Sequence, residues 1–319
     1  MDEPDTGTLA GLGEFGLIDR IVDPSSLTDA IVVGPGDDTA LVRMSGEVLI
    51  TTDMLVEGVH FRQDWSSAID VGRRAAAASL ADIAAMGGST RALVVSFGAP
   101  PSTPSAWAVA CAAGMRAEAA TAGACVAGGD VVSSPSIVVC VTAIGDAPAG
   151  GPVLRSGAKV GDVVAICGRF GWAAAGLAVL SRGFKSPRAL VDAHRFPEVN
   201  YAAGVAAAKG ASAMIDVSDG LIADAGHIAD ASDVTLDIDA GSWEIPDALA
   251  SAAAAYNVDP RVWMLTGGDD HALLATFSPR KKLPEGFFRI GSVVKRTDDA
   301  VLVNGQPFAG GSGYDHFKN

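Results

Sequence analysis

Basic residues are scarce in this chain: 23 Lys and Arg stand against 37 Asp and Glu in 319 residues, a formal charge of −14. Nucleic acid is held through its phosphates by clustered cations, so this balance excludes nucleic-acid binding as a primary role. Cysteine is rarer still. Cys111, Cys125, Cys140 and Cys167 show no CxxC spacing and lie in or beside apolar segments, which predicts buried thiols rather than a zinc site or a disulfide framework. No apolar run approaches the roughly 18 residues of a membrane span, and the acidic opening MDEPDTG lacks the basic stretch of a secretory signal. The expectation is a soluble cytoplasmic protein without a membrane partner. GxxxxGK[ST] is absent too, so any ATP must be held without a P-loop.

What the chain does have is apolar residue, 49% of the total, enough for two domains that each bury a core. Strand-like runs fall at 30–34, 39–44, 47–55, 91–99 and 135–145, and helical patterns at 68–86 and 105–122. Gly87 and Gly88 suit the stop of the first of these helices. The Pro/Gly-rich stretch 145–162 reads as a joint between a domain at 1–148 and another at 149–319. Beyond it come a strand in DVVAICG, a helix at 172–181, a strand in ASAMIDVSDG, a helix at 220–231 and a strand near HALLATF. This order predicts an α/β protein of the α+β type, two domains with mixed sheets and no internal repeat.

Two glycine signals need weighing. GLGEFG at 11–16 matches GxGxxG, yet no strand precedes it, so a turn opening a helix is expected instead of a dinucleotide site. CGRFGWAAAG at 167–176 does follow a strand and open a helix; close strand–helix packing is the preferred reading, with phosphate contact left open.

Chemistry shows in the aspartates. GPGDDTA places Asp37 and Asp38 in a turn, TTDMLVEGVHF puts Thr51 and Asp53 on one strand face with Thr52 opposite, and AGGDVV follows Gly129 with Asp130. IDVSDGL sets Asp216, Ser218 and Asp219 at a strand-to-helix junction, and LTGGDDHALL supplies Asp269 and Asp270. Any one of these can be a plain turn or cap residue. Five such turns in one acidic chain point instead to a hard cation, because magnesium takes oxygen ligands and completes its shell with waters and substrate phosphates. Asp82, set in the apolar run AAAASLADIAAMGG, supports this: a carboxylate there is costly without a partner, and a cation shared with Asp38 and Asp53 would supply one. Ser79 lies one turn earlier on the same face.

The motifs GDDTA, TTDMLVEGVHF, SLADIAAMGG, AGGD, RSGAKVGD, IDVSDGL, GGDD and the terminal GYDHF occur in the order seen in thiamine-monophosphate kinases of the aminoimidazole-ribonucleotide synthetase-like superfamily, which the chain resembles from about Gly13 to Phe317. The resemblance implies Mg2+- and ATP-dependent phosphorylation of thiamine monophosphate to thiamine diphosphate. It also implies a homodimer whose amino-terminal domains share a barrel, with the carboxy-terminal domains closing the active-site cleft. Carried over, it assigns Asp38, Thr51, Thr52, Asp53, Asp82, Asp130, Asp216 and Asp219 to metal. Gly129, Asp130, Arg155 and Ser218 are assigned to ATP, and His60, Asp269 and Tyr314 to the thiamine phosphate. Asp38, Asp53, Asp82, Asp130 and Arg155 would form the catalytic set. The family pattern GGEDYEL departs here to GGDDHALL, so Asp269 is one methylene shorter than the expected Glu and His271 replaces Tyr. Alternatives are another ATP-dependent member of the superfamily, such as the purine-pathway ligase, or a non-enzymatic acidic metal-binding protein. The selenophosphate synthetases and hydrogenase-maturation members carry functional cysteines near one terminus, which this chain lacks.

Overall fold

The structure, a computed structural model, describes residues 7–36, 38–311 and 313. Two units are resolved, Met1–Ile83 with Ser89–Ala147, and Ala84–Gly88 with Pro148–Asn319. Among the described residues, no helix is long and apolar enough to cross a membrane.

The first unit runs α1 (Leu9–Leu12), α2 (Glu14–Ile21), β1 (Ile31–Val33), β2 (Leu41–Val42), β3 (Val48–Val56), α3 (Ala68–Ala85), β4 (Ser89–Ala99), α4 (Ser105–Thr121), β5 (Cys125–Ser133) and β6 (Val138–Asp146). GLGEFG opens α2, with Gly13 at φ +75° preceding it, the turn-and-helix arrangement expected from sequence. Strands β1 and β2 form a small antiparallel pair around the GPGDDTA turn. The main sheet has the order β3-β6-β4-β5, antiparallel except for β4 with β5. Its register sets which side chains share a face. Val139, Val141 and Ala143 of β6 are wholly buried, whereas Ile50 and Met54 of β3 and Val132 of β5, on the opposite face, are 67%, 54% and 58% exposed.

Helix α3 is buried almost all round because alanine lets neighbours approach closely. Its Gly72 is forced by α4: a Cβ there would stand 1.9 Å from the Cys111 carbonyl oxygen, and one on Gly114 would stand 2.2 Å from that of Ile69. The two helices therefore touch backbone to backbone. Strand β5 was hidden from pattern reading by its glycine pair. Gly129 is required there, since a Cβ would lie 2.0 Å from the Val95 carbonyl oxygen of β4.

The second unit continues with β7 (Val163–Cys167), α5 (Trp172–Leu180), α6 (Arg188–Arg195), α7 (Tyr201–Ala207), β8 (Ala211–Val217), α8 (Leu221–Ser232), β9 (Val234–Ile238), α9 (Asp247–Tyr256), α10 (Pro260–Thr266), β10 (Ala272–Phe277), β11 (Phe287–Lys295), β12 (Val301–Val303) and β13 (Gln306–Pro307). They build a seven-stranded sheet of order β13-β12-β9-β11-β7-β10-β8, in which only β12 with β9 is parallel. Ala165, Met214, Leu273 and Phe277 from three adjacent strands form its core with Val153 and Phe287. All four cysteines are free thiols; three are buried, and Cys140 is half-buried on the more open sheet face of the first unit, a departure from the expected burial.

Candidate active site

Strand β3 and helix α3 hold each other by two reciprocal contacts. Thr51 Oγ1 on the strand donates to Asp82 Oδ2 on the helix at 2.5 Å, and Ser79 Oγ on the helix donates to Asp53 Oδ2 on the strand at 2.7 Å. Alternation explains the strand side: residues 51 and 53 share a face and lie about 7 Å apart. Helical spacing explains the other, because residues 79 and 82 are one turn apart. Ser79 is fully buried and also donates to the Val141 carbonyl at 2.9 Å, which fixes its rotamer. The result is two carboxylates on one strand–helix seam, each anchored through one oxygen by a hydroxyl. The donors are all oxygen, the set a hard cation selects.

The rest of the expected cluster in this unit does not converge. Thr52 turns to the other face, where its hydroxyl meets Thr142 Oγ1 at 3.0 Å. Asp130 is paired in register with Ser96, itself opposite Cys140 and Met54, so it too belongs to that more open face. Gly129 precedes it on the row of Asp53, Val141 and Val95. Asp38 sits in the turn between β1 and β2, with Asp37 outside the described residues. Among the described residues no three His, Cys, Asp or Glu side chains gather as a metal cage. A magnesium ion in this unit would fit at the Asp53–Asp82 pair only with water or phosphate completing its shell. His60 closes a turn after β3: its Nδ1 accepts from the Val56 amide at 3.0 Å, which leaves Nε2 to carry the ring proton.

In the second unit, Asp216 ends β8 and its Oδ2 meets His271 Nδ1 at 2.9 Å, both side chains being buried. The glycine-rich segment 267–271 lies against the start of α8. The Asp269 amide donates to the Ser218 carbonyl at 2.8 Å, the His271 amide donates to that of Val217 at 3.0 Å, and a Cβ on Gly268 would stand 2.1 Å from the Ser218 oxygen. Asp269 and His271 both take left-handed backbone, at φ +67° and +51°, a region Asp and His tolerate better than branched residues. The sequence places Asp216, Ser218 and Asp219 at one strand-to-helix junction and Asp269 in a separate motif; the structure packs the Asp269 segment against that junction. Tyr314 lies outside the described residues. Arg155 is exposed in the loop before β7, and Ser232 staples that loop by donating to the Arg155 carbonyl and accepting from the Gly157 and Ala158 amides.

Two buried carboxylates at this junction went unassigned. Asp224 Oδ2 accepts from the Asp219 and Gly220 amides at 3.0 and 3.1 Å, fixing the loop before α8. Burial, and then the neighbouring Asp216 charge, push its carboxyl up to about 7. Asp270 Oδ1 accepts from the Ala173 amide at 3.0 Å at the start of α5. The amides that GRFGW offers at this helix terminus are thus met in part by the chain's own carboxylate, which favours packing over phosphate contact for that loop. The signal was available, since GGDD carries a second aspartate, but a capping partner about a hundred positions away leaves no local trace.

Burial raises Asp270 from 3.8 to about 7, partly offset by backbone amides. Between those two pH values the native state holds a proton that the unfolded chain has released, so this group's contribution to stability falls as pH rises through the window. Asp270→Asn removes the titration. Its melting temperature relative to the parent should climb by a few degrees between pH 4.5 and 7.5; a difference independent of pH would contradict the assignment.

Comparison with known proteins follows this geometry. Residues 36–147 match the family model of the AIR synthase related protein N-terminal domain, and residues 159–304 match that of its C-terminal domain. The thiamine-monophosphate kinase of Mycobacterium tuberculosis is 48% identical over 313 residues, covering 97% of this chain and 93% of that protein. The crystal structure of thiamine-monophosphate kinase from Stenotrophomonas maltophilia superposes with a TM-score of 0.81 at 30% identity, over 91% of this chain and 96% of that one. The structure of AaThiL complexed with AMPPCP and TMP matches with a TM-score of 0.80 at 31% identity, over 98% and 100% of the two chains. The chain belongs to the thiamine-monophosphate kinases, within the AIR synthase related proteins.

Proposed function

We propose that the chain transfers the terminal phosphoryl group of ATP directly to the phosphate of thiamine monophosphate, giving thiamine diphosphate and ADP. The observation that carries this reading is near full-length similarity to thiamine-monophosphate kinases in a chain whose Asp53 and Asp82 are held side by side with oxygen donors alone. Asp53 and Asp82 of the first unit, with Thr51 beside them, and Asp216 and Asp219 of the second are the residues that would hold Mg2+; Asp38, in its turn, and Thr52 and Asp130, on the other sheet face, would serve a separate ion. Bound magnesium supplies neutralisation of phosphate charge as the two anionic substrates meet.

The chain's own part is positioning. Gly129 leaves the β5 backbone bare beside Asp130, and Arg155 and Ser218 offer a guanidinium and a hydroxyl to the nucleotide. His60, Asp269 and Tyr314 are assigned to the thiamine phosphate. A phosphate monoester has its second pKa near 6, so the attacking oxygen is already ionised at neutral pH. No general base is needed, and His60 then serves in binding through its Nε2 proton. In this reading 1–148 is the dimerisation domain and carries most of the metal residues and Gly129, while 149–319 adds Arg155, Asp216, Ser218 and Asp219, in an enzyme of the cytoplasm.

The exposed apolar face of the β3-β6-β4-β5 sheet supports assembly as a homodimer in which two such sheets close a barrel, since Ile50, Met54 and Val132 stand uncovered together. Ile50→Glu is expected to halve the mass found by light scattering of the eluting parent protein; a monomeric parent would contradict the dimer.

The reaction is tested by incubating the protein with ATP, magnesium and either thiamine monophosphate or thiamine. Thiamine diphosphate should form from the monophosphate, EDTA should abolish it, and thiamine should not be phosphorylated. ADP release without a diphosphate product would overturn the reading.

A further inference from the structure

His271 has no part in the roles assigned above, yet its ring meets one of the residues that has. Both His271 and Asp216 are buried, and His271 Nδ1 stands 2.9 Å from Asp216 Oδ2. Strand register explains the meeting. Asp216 is opposite Leu273 in the β8–β10 pair, so His271 lies two residues before that partner, on the diagonal that a ring can span. The His271 amide also donates to the Val217 carbonyl at 3.0 Å, which ties its backbone to the residue after Asp216.

The backbone here is strained. Asp269 and His271 take φ of +67° and +51° on either side of Asp270, whose Oδ1 accepts from the Ala173 amide. Glycine adopts that left-handed region freely, whereas a residue with a Cβ stays there only when its surroundings over-determine it. Asp269 is assigned to substrate, and what the His271 side chain adds is the contact to Asp216. Chemistry narrows its role further. Asp216 and Asp219, with Asp224 beside them, give this junction the oxygen donors that magnesium takes. Imidazole suits softer metals, so His271 stands behind the ligands rather than among them. A ligating aspartate is a carboxylate and only accepts, so Nδ1 carries the ring proton and donates to it.

We propose that His271 is a positioning residue for the metal of the second unit: its Nδ1–H fixes the rotation of the Asp216 carboxylate, and its backbone joins that carboxylate to the segment bearing Asp269. The inference rests on the assignment of Asp216 to magnesium made above. A carboxylate free to rotate must be ordered when the ion arrives, so fixing it beforehand strengthens binding. Hydrogen-bond partners of metal ligands commonly change affinity about 10- to 100-fold when removed.

His271→Asn and His271→Gly separate this role from packing. Asn keeps an N–H donor near the Nδ1 position and tolerates left-handed backbone, while Gly relieves the backbone and removes the donor. The readout is the magnesium concentration that half-stabilises the full chain against heat at a fixed concentration of a non-hydrolysable ATP analogue. The glycine variant should need about tenfold more magnesium, and the asparagine variant should stay within about threefold of the parent. Packing alone predicts a lower melting temperature in EDTA and an unchanged magnesium midpoint. Adding His271→Gly to Asp216→Asn should move the midpoint no further, because the histidine acts through the aspartate. Additive shifts, or a glycine variant with the parent's midpoint, would overturn the proposal. Should the glycine variant not fold, 15N spectra of the histidine-labelled parent decide. The His271 ring, one of five and identified by its loss in His271→Asn, should carry its proton on Nδ1 and shift when magnesium and the analogue are added. A bare Nδ1 or an unmoved signal overturns the proposal. A parent that shows no magnesium response overturns the metal reading and this inference together, whereas a parent response kept in full without the histidine overturns this inference alone.

Discussion

Everything in the first unit's site depends on the reciprocal clamp between β3 and α3, in which a strand hydroxyl serves a helix carboxylate and a helix hydroxyl serves a strand carboxylate. Each contact is charge-assisted and stronger than a neutral hydrogen bond. Together they hold two negative charges near each other where neither hydroxyl can neutralise them. Like charges so placed repel, to a degree set by their separation and the effective dielectric. A fold keeps that cost when something else is to occupy the space, and an all-oxygen pair is matched to a divalent hard cation and the phosphates it carries.

The second unit solves a related problem with backbone rather than hydroxyls. Asp216, Asp219 and Asp224 crowd one strand-to-helix junction, and the Asp219 and Gly220 amides bond to Asp224. Gly268 brings the partner segment within carbonyl distance of that junction, where any side chain would collide. His271 reaches from left-handed backbone to Asp216 and so forms part of this acidic junction.

Much of this was legible in the sequence because the governing spacings are short. The strand face shared by Thr51 and Asp53, and the one-turn offset of Ser79 from Asp82, follow from the two periodicities alone. What the sequence hid was non-local. Strand β5 carries a glycine pair that breaks the apolar pattern, and only the neighbouring carbonyl of Val95 explains why. Asp130 looked equivalent to Asp53 as a strand aspartate after small residues, yet sheet register sends it to the opposite face. Asp224 leaves no mark in the sequence and Asp270 is named there without a role, because their partners are backbone amides, which no residue type advertises. In the second unit α6, α7, α9, α10, β9, β11 and β12 went unread, alanine-rich α9 offering little contrast between faces and β11 being interrupted by a register shift at Arg289–Gly291.

The account's central claim is that Asp53 and Asp82 are held together for a cation rather than for the fold. Thermal melts of the parent and Asp82→Asn, in EDTA and then in magnesium with a non-hydrolysable ATP analogue, test it most directly. The account predicts that the variant melts at or above the parent's temperature in EDTA, because one of two adjacent charges is gone, and that it loses most of the stabilisation conferred by magnesium with nucleotide. A variant clearly less stable than its parent in EDTA that keeps the full magnesium-dependent shift would contradict it.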